Sequence, residues 1–361
     1  MKFNKINLQL FALTSNGVNA TVASGSMGAL NQQGGYNAPN TDLSVEMKTF
    51  YDMTLIDEAQ AQLVHDQFGQ KRPIPANGGK TIEFRKFAPL AKAIAPLTEG
   101  VTPTGKSLKV TAVTATVNQY GDFITQSDVL ELTSLDNTIL EATKLLGRQA
   151  GVTLDTIVRN VLNSANNVTF CPKVANGAET EVKSRANLDT TAQLTVKVVQ
   201  QVVAKLRGQN APTIGGKYVA IIHPYVAYDL MRDPEWIDAH KYATPTNLYE
   251  GEIGEIAGVR FVQTTEARVF TGANGDPNCP EGLAVFSTIF LGEGAYGVTE
   301  ITGGGLQTIV KQKGSAGTAD PLDQRSSVGW KAIKTAEILI PNYIVRVESC
   351  SAAFSATTAA N

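Results

Sequence analysis

Two strand-forming segments separated by a long loop marked by proline and glycine constrain this chain more than any other feature. Lys80 to Phe87 reads as one strand and Leu108 to Asn118 as its partner. In the second segment Leu108, Val110 and Ala112 fall on one face, and Lys109 and Thr111 on the other, the alternation of a strand. Between them run Ala88 to Ser107, with three prolines, two glycines and no period of their own. Loops of this length are uncommon inside compact domains and are usually functional. A two-stranded hairpin alone is marginal in water. The pair therefore reads as an arm that needs a surface to lie on, and a neighbouring subunit is the economical candidate.

Downstream, Gln119–Asp128 (QYGDFITQSD) leads towards Asp136, a helix N-cap by residue type. Apolar residues then recur at Ile139, Leu146, Ala150, Leu154, Ile157 or Val158 and Val161. Three-to-four spacing out to Ala165 predicts a helix roughly 40 Å long at 1.5 Å per residue. Before the arm, Asp42 to Phe68 carries Leu43, Met47, Phe50, Tyr51, Leu55, Ala59 and Leu63 near one face, which predicts a helix ended by Gly69. Asn166 to Thr191 reads as a polar connection with a small hairpin. Gln193–Leu206 reads as an amphipathic helix with Gly208 past its end. Tyr218–His223 (YVAIIH) is a buried strand stopped by Pro224, and Tyr225–Arg232 a short helix stopped at Asp233 and Pro234. Further strands are expected at Gly258–Gln263, Leu283–Phe290, Lys331–Ile340 and Asn342–Ser349, with turns and short strands in the glycine-heavy stretch Gly292–Gly317. The class is α+β.

Composition narrows the function. Lys and Arg total 31 against 33 Asp and Glu, and basic runs stop at two residues. A chain built to grip a phosphate backbone needs a positive stripe, because affinity comes from released counterions. If this chain meets DNA, the expectation is that it contains the DNA rather than binding its sequence. The charged fraction is only 18%, and small polar residues suit wide subunit contacts with little desolvation cost. Cys171, Cys279 and Cys350 are odd in number and far apart, which points to a reducing compartment rather than a disulfide framework. Lys2 and Lys5 precede INLQLFAL, but Asn7 and Gln9 interrupt that run, so neither a signal peptide nor a membrane span is expected. Thr14 to Asn40 is rich in Asn, Gly, Ser, Ala and Gln, and reads as an extended arm or a tail.

Two motifs suggest nucleotides and fail on context. Gly100–Ser107 (GVTPTGKS) matches the phosphate-cradling loop letter for letter, yet the sequence after it alternates like a strand where a helix is required. Pro103 also removes one cradle N–H. Gly292–Gly297 (GEGAYG) matches a dinucleotide fingerprint, but a glycine-broken, β-branched stretch follows. His65, His223 and His240 stand in no metal-ligand spacing, and no nucleophile elbow occurs. No catalytic residue, metal or cofactor is expected. Asp233–Trp236 and Asp320–Asp323 read as turns.

Four stretches, taken in order, resemble the major capsid protein of tailed bacteriophages, the HK97-like fold. They are Thr54–Gly69 with Pro75–Phe84, Pro96–Leu108 with Gln119–Asp128, Gly251–Phe270, and Asp320–Ala332. The resemblance implies an N-terminal arm (1–41), a helix and linker (42–79) and an extended loop (80–118). It further implies a peripheral domain (119–211) with a spine helix at about 136–165, an axial domain (212–324), closing peripheral strands (325–350) and a tail (351–361). It implies hexamers and pentamers forming a shell around double-stranded DNA, assembled in the host cytoplasm. The partners implied are a portal, a separate scaffolding protein and a decoration protein. Candidate inter-subunit contacts are Arg85, Lys86, Lys92, Glu99, Lys106, Lys109, Trp236 and Arg325. Gly69, Gly78 and Gly79 are candidate hinges of the loop, and no covalent cross-link is expected. A cellular nanocompartment shell is the alternative within the same fold; a P-loop hydrolase is the alternative outside it.

Overall fold

The computed structural model describes residues 45–361 except 61–62, 76, 88–89, 91, 95, 98, 103–104, 135–137, 176, 242–253, 273–277, 303, 316–319 and 359–360. The reading of Thr14–Asn40 and the Asp136 cap lie outside the described residues.

Helix α1 (Val45–Gln60) is shorter than the sequence predicts. The chain leaves helical geometry before Val64 because a distant carboxylate takes its amides: Asp155 Oδ1 accepts from Val64 N at 2.9 Å and from His65 N at 2.7 Å. Gly69 is no helix cap. A Cβ there would meet Tyr296 and Val298 at 2.6 and 2.7 Å, so glycine lets the backbone lie flat on the sheet. Strand β1 (Gln70–Lys71) follows, then the arm strands β2 (Thr81–Phe87) and β3 (Val110–Thr116), paired antiparallel from Thr81↔Thr116 to Phe87↔Val110. Asn118 does not belong to the arm. It starts β4 (Asn118–Ser127), a ten-residue strand where the sequence suggested only a lead-in.

A short helix α2 (Asp128–Thr133) precedes the spine helix α3 (Thr138–Asn163). Every fourth residue of α3 is buried: Ala142, Leu146, Ala150, Leu154, Val158 and Leu162, the single stripe expected of a helix laid across a core. Asn163 Nδ2 donates to Arg159 O at 2.8 Å and Ser164 Oγ to Val161 O at 2.6 Å, closing its last turn. Then come β5 (Val168–Phe170) and the hairpin β6 (Lys173–Ala175) and β7 (Ala178–Thr180). Helix α4 spans Val196–Gly208, so Gly208 is its last residue rather than the one beyond. Strand β8 (Tyr218–Ile222) leads into α5 (Pro224–Met231).

Asp233–Trp236, read as a turn, instead starts a helix, α6 (Pro234–Lys241). Asp233 Oδ1 accepts from Glu235 N at 3.0 Å, so the same residue types act as a cap followed by proline in the first turn. The remaining strands are β9 (Glu255–Ile256), β10 (Val259–Gln263), β11 (Val269–Thr271), β12 (Ala284–Leu291), β13 (Tyr296–Glu300), β14 (Gln307–Lys311), β15 (Arg325–Ile338) and β16 (Ile344–Ser349).

The described strands make two larger sheets. One orders β1-β13-β15-β14, with β4 also paired to β15 over ten residues, Arg325↔Ser127 to Lys334↔Asn118. Strand β15 thus begins six residues before the predicted Lys331. The other sheet orders β5-β16-β12-β8-β10-β9, with β11 on β12. Sheet membership cuts across the sequence split at 325: β13 and β14 join β15, whereas β16 pairs with β12 in the second sheet. The reason is the break at Pro341–Tyr343, a single 3-10 turn that sends the chain from one sheet to the other.

Three apolar clusters follow from this. Leu55, Leu146, Ala150, Leu154, Val328 and Trp330 fill the space between α1, α3 and the first sheet. Val158, Leu162, Ile221, Ile289, Tyr296 and Val298 sit where the far half of α3 meets both sheets. The largest cluster packs α4, α5 and α6 on the second sheet. Trp236 belongs to it, 4% exposed and edge-on to Phe261 with ring centroids 5.8 Å apart. It is a core residue and is withdrawn as an inter-subunit contact.

Candidate assembly interface

The arm is anchored at its root and bare towards its tip. At the root, Phe84, Ala115 and Val117 are buried, and Val117 N donates to Lys80 O at 2.9 Å. Phe84 lies over Gly297 of β13, where a Cβ would meet its ring at 2.7 Å. Gly79 holds a left-handed φ of +87° with open space around it, the geometry that selects glycine. Gly78 instead lies under Pro75, whose carbonyl oxygen would meet a Cβ at 2.9 Å. Of the three glycines proposed as hinges, only Gly79 combines an open site with a left-handed turn.

The chain entering the arm is fastened to the spine helix by buried polar groups. Asp155 of α3 is fully buried, and besides the two amides it holds His65 Nδ1 at 2.6 Å. The Tyr296 hydroxyl donates to His65 O. Lys334 Nζ meets Asp66 Oδ1 at 2.9 Å with both side chains largely buried, and Lys71 reaches the same carboxylate at 3.5 Å. Removing one partner of such a set leaves a buried charge without compensation, so the set fixes where the arm emerges.

Beyond the root, Phe87, Leu90, Ile94, Leu97, Val101, Leu108 and Val110 are all exposed, Ile94 by 82% and Leu97 by 78%. Scattered exposed apolar residues are ordinary; a run of them along one projecting segment marks an interaction site. The charged candidates share the segment. Lys92, Glu99, Lys106 and Lys109 are exposed, Lys86 is half-buried, and Arg85 lies 3.5 Å from Glu83. Arg325 sits elsewhere, at the start of β15, exposed, with its backbone N–H held by Asp320 Oδ2 at 2.8 Å. The sequence reading chose the charges and passed over the apolar residues. The signal for them was Leu90, Ile94 and Leu97 standing in a proline-marked loop with no strand or helix period to bury them.

A second bare region lies at the other end of β4. That strand pairs with β15 on one edge; among the described residues its other edge carries no strand. Phe123 is 67% exposed. On the opposite face Asp122 accepts from Gln149 Nε2 at 2.6 Å and from Phe123 N at 2.8 Å, and these hydrogen bonds hold its carboxyl below the usual range. Helix α2 has no buried residue at all, although Val129, Leu130 and Leu132 make up half of it.

The two nucleotide motifs resolve as architecture. Gly100–Ser107 leads into β3 rather than a helix, and Gly292–Gly297 turns directly into β13. His223 caps α5, accepting from Tyr225 N at 3.2 Å, and burial pushes its pKa down to about 4. A neutral ring is what an acceptor at that position requires.

The sequence profile of the family described as "Phage capsid protein" matches residues 21–316. The chain belongs to that family. The fold agrees: it is similar to the capsid protein of cyanophage P-SCSP1u, at 14% identity and TM-score 0.61 over 80% of this chain and 88% of that one. It is also similar to that of cyanophage Pam1, at 14% and 0.61 over 82% and 92%. The capsid protein of Ralstonia phage GP4 aligns at 12% and 0.60 over 80% and 88%. A search of curated proteins finds no significant match. The chain is a shell-forming coat protein with the HK97-like capsid fold, and its place is the virion capsid.

Proposed function

We propose that copies of this chain close into rings of five and six, that the rings tile a shell around double-stranded DNA, and that the arm laps over the adjacent subunit. One observation carries this reading: the arm is anchored at its root by buried side chains yet carries, beyond it, apolar side chains that its own chain leaves exposed. Head-to-tail contacts use different patches on each neighbour and close a ring when the rotation allows. Several weak contacts per subunit then act together as a lattice. The near-balanced charge supports containment of DNA without sequence-specific binding. On this reading α1, the arm, α3 and the first sheet make the peripheral part, and the second sheet with α4, α5 and α6 the axial part. A portal, a separate scaffolding protein and a decoration protein complete the particle, and assembly takes place in the host cytoplasm.

Deleting 90–106 tests the reading. The expected product is a folded subunit, with the wild-type melting transition, that forms no shells under negative-stain microscopy. Intact shells from that deletion would refute the role of the arm. Wild-type shells that protect no DNA from nuclease, when recovered from infected cells, would refute the cargo.

A further inference from the structure

We infer that Asp155, Arg159 and Asn163 form a polar seam along α3 that sets the register of the helix between the arm root and the second sheet; its part in assembly rests on the reading of the chain as a shell subunit. The three residues follow one another at every fourth position, which puts them on one face, and they are 0%, 2% and 9% exposed. Each stands one position after a member of the apolar stripe, Leu154, Val158 and Leu162.

The three reach different elements. Asp155 holds the amides of Val64 and His65 and the His65 ring, at the entry to the arm. Arg159 Nη1 donates to Glu266 O at 2.9 Å, in the link between β10 and β11. Asn163 Oδ1 accepts from Ser287 Oγ of β12 at 2.6 Å, and Asn163 O accepts from Arg346 Nη1 of β16.

Stability does not explain the seam. A buried charge is costly to desolvate, and apolar residues of similar volume often serve a core as well or better. Burial and the neighbouring Arg268 pull the Arg159 pKa down, and Arg159 Nε meets no hydrogen-bond partner in the protein. The gain is discrimination. An apolar stripe that repeats every four residues looks alike after a slip of four, about 6 Å at 1.5 Å per residue. The seam does not. One such slip sets Arg159 against the amides that Asp155 now holds, donor against donor. The opposite slip sets Asp155 against Glu266 O, acceptor against acceptor. Mismatches of this kind reject an alternative packing. A single setting of α3 fixes the arm relative to the second sheet, which identical contacts around a ring require.

The test replaces the second-sheet end of the seam with apolar residues, Arg159→Met, Asn163→Leu and Ser287→Ala, and leaves Asp155 in place. The melting temperature is expected to be no lower than that of the wild type. Amide exchange at Val64 and His65 of the free subunit should become about tenfold faster, because the two ends are coupled through the helix. Particles of mixed size should replace a single size class. A lower melting temperature makes the seam a stability element, and unchanged exchange makes its two ends independent; either overturns the register role. Faster exchange with particles still of one size class overturns the part in assembly. A wild-type chain that forms no shells strikes the shell reading and leaves the exchange result standing. Should the triple variant not fold, Arg159→Met alone decides, with Arg159→Lys, which keeps a donor, expected to restore slow exchange; equal exchange in the two overturns the register role.

Discussion

Strands β12 and β4 are both long and both carry large apolar residues, yet they belong to different kinds of surface. All eight residues of β12 are buried, between β8 and β16, with β11 alongside. Of the ten residues of β4, Gln126 alone is buried, and Phe123 faces solvent. The first is finished within the subunit; the second, among the described residues, leaves one edge and most of its side chains bare. On the proposed function, the contrast places stability and assembly in different parts of this chain. Substitutions in the two regions are therefore expected to report on different measurements.

The largest loss of stability is expected at Phe290, fully buried in β12. Phe290→Ala should cost about 3–5 kcal/mol in denaturant unfolding, because the cavity adds to the lost transfer energy. A cost below about 1 kcal/mol would show the second sheet to be loosely packed and break the comparison.

Asp155→Ala comes next. It strands the amides of Val64 and His65 and the His65 ring inside the protein, a penalty of about 2–3 kcal/mol. Because this group fastens the root of the arm, shell yield should fall further than the same loss of stability produces at a site remote from the arm. Parity between the two would place Asp155 with the core alone.

A pH effect follows, confined to one window. The His223 pKa of about 4 in the folded chain lies below its ordinary 6.5. Between these values the unfolded chain binds the proton and the folded chain does not, so stability is full above pH 6.5 and falls as pH drops towards 4. Measured as melting temperature against pH, His223→Gln should flatten the slope in that window. An unchanged slope would assign the acid sensitivity to other groups.

The smallest effect on stability is expected at the arm. Ile94→Ser combined with Leu97→Ser should move the unfolding free energy by no more than about 0.5 kcal/mol, as for other exposed positions, while sedimentation shows shells giving way to free subunits. A large loss of stability there would mean that the arm folds onto its own body in solution.

Much of the molecule was legible because its signals are periodic. The four-residue stripe of the spine helix, the alternation in β3 and the continuous apolar run of β8 each name an element without tertiary help. The failures share one cause. α1 does not run on to Phe68 because Asp155, some ninety residues away, takes the amides of Val64 and His65. β4 was missed because most of a half-exposed edge strand has no apolar face to show. Trp236 was misplaced because an aromatic residue has the same sequence signature in a core and on a contact surface.

The sequence by itself determined the arm, the spine and the family, since these depend on local spacing and on ordered motifs. Tertiary structure decided which sheet each late strand joins, which glycines are contacts rather than hinges, and which apolar residues stay bare. Those outcomes depend on what lies across from a residue, and a linear chain does not say what will be opposite until it has folded.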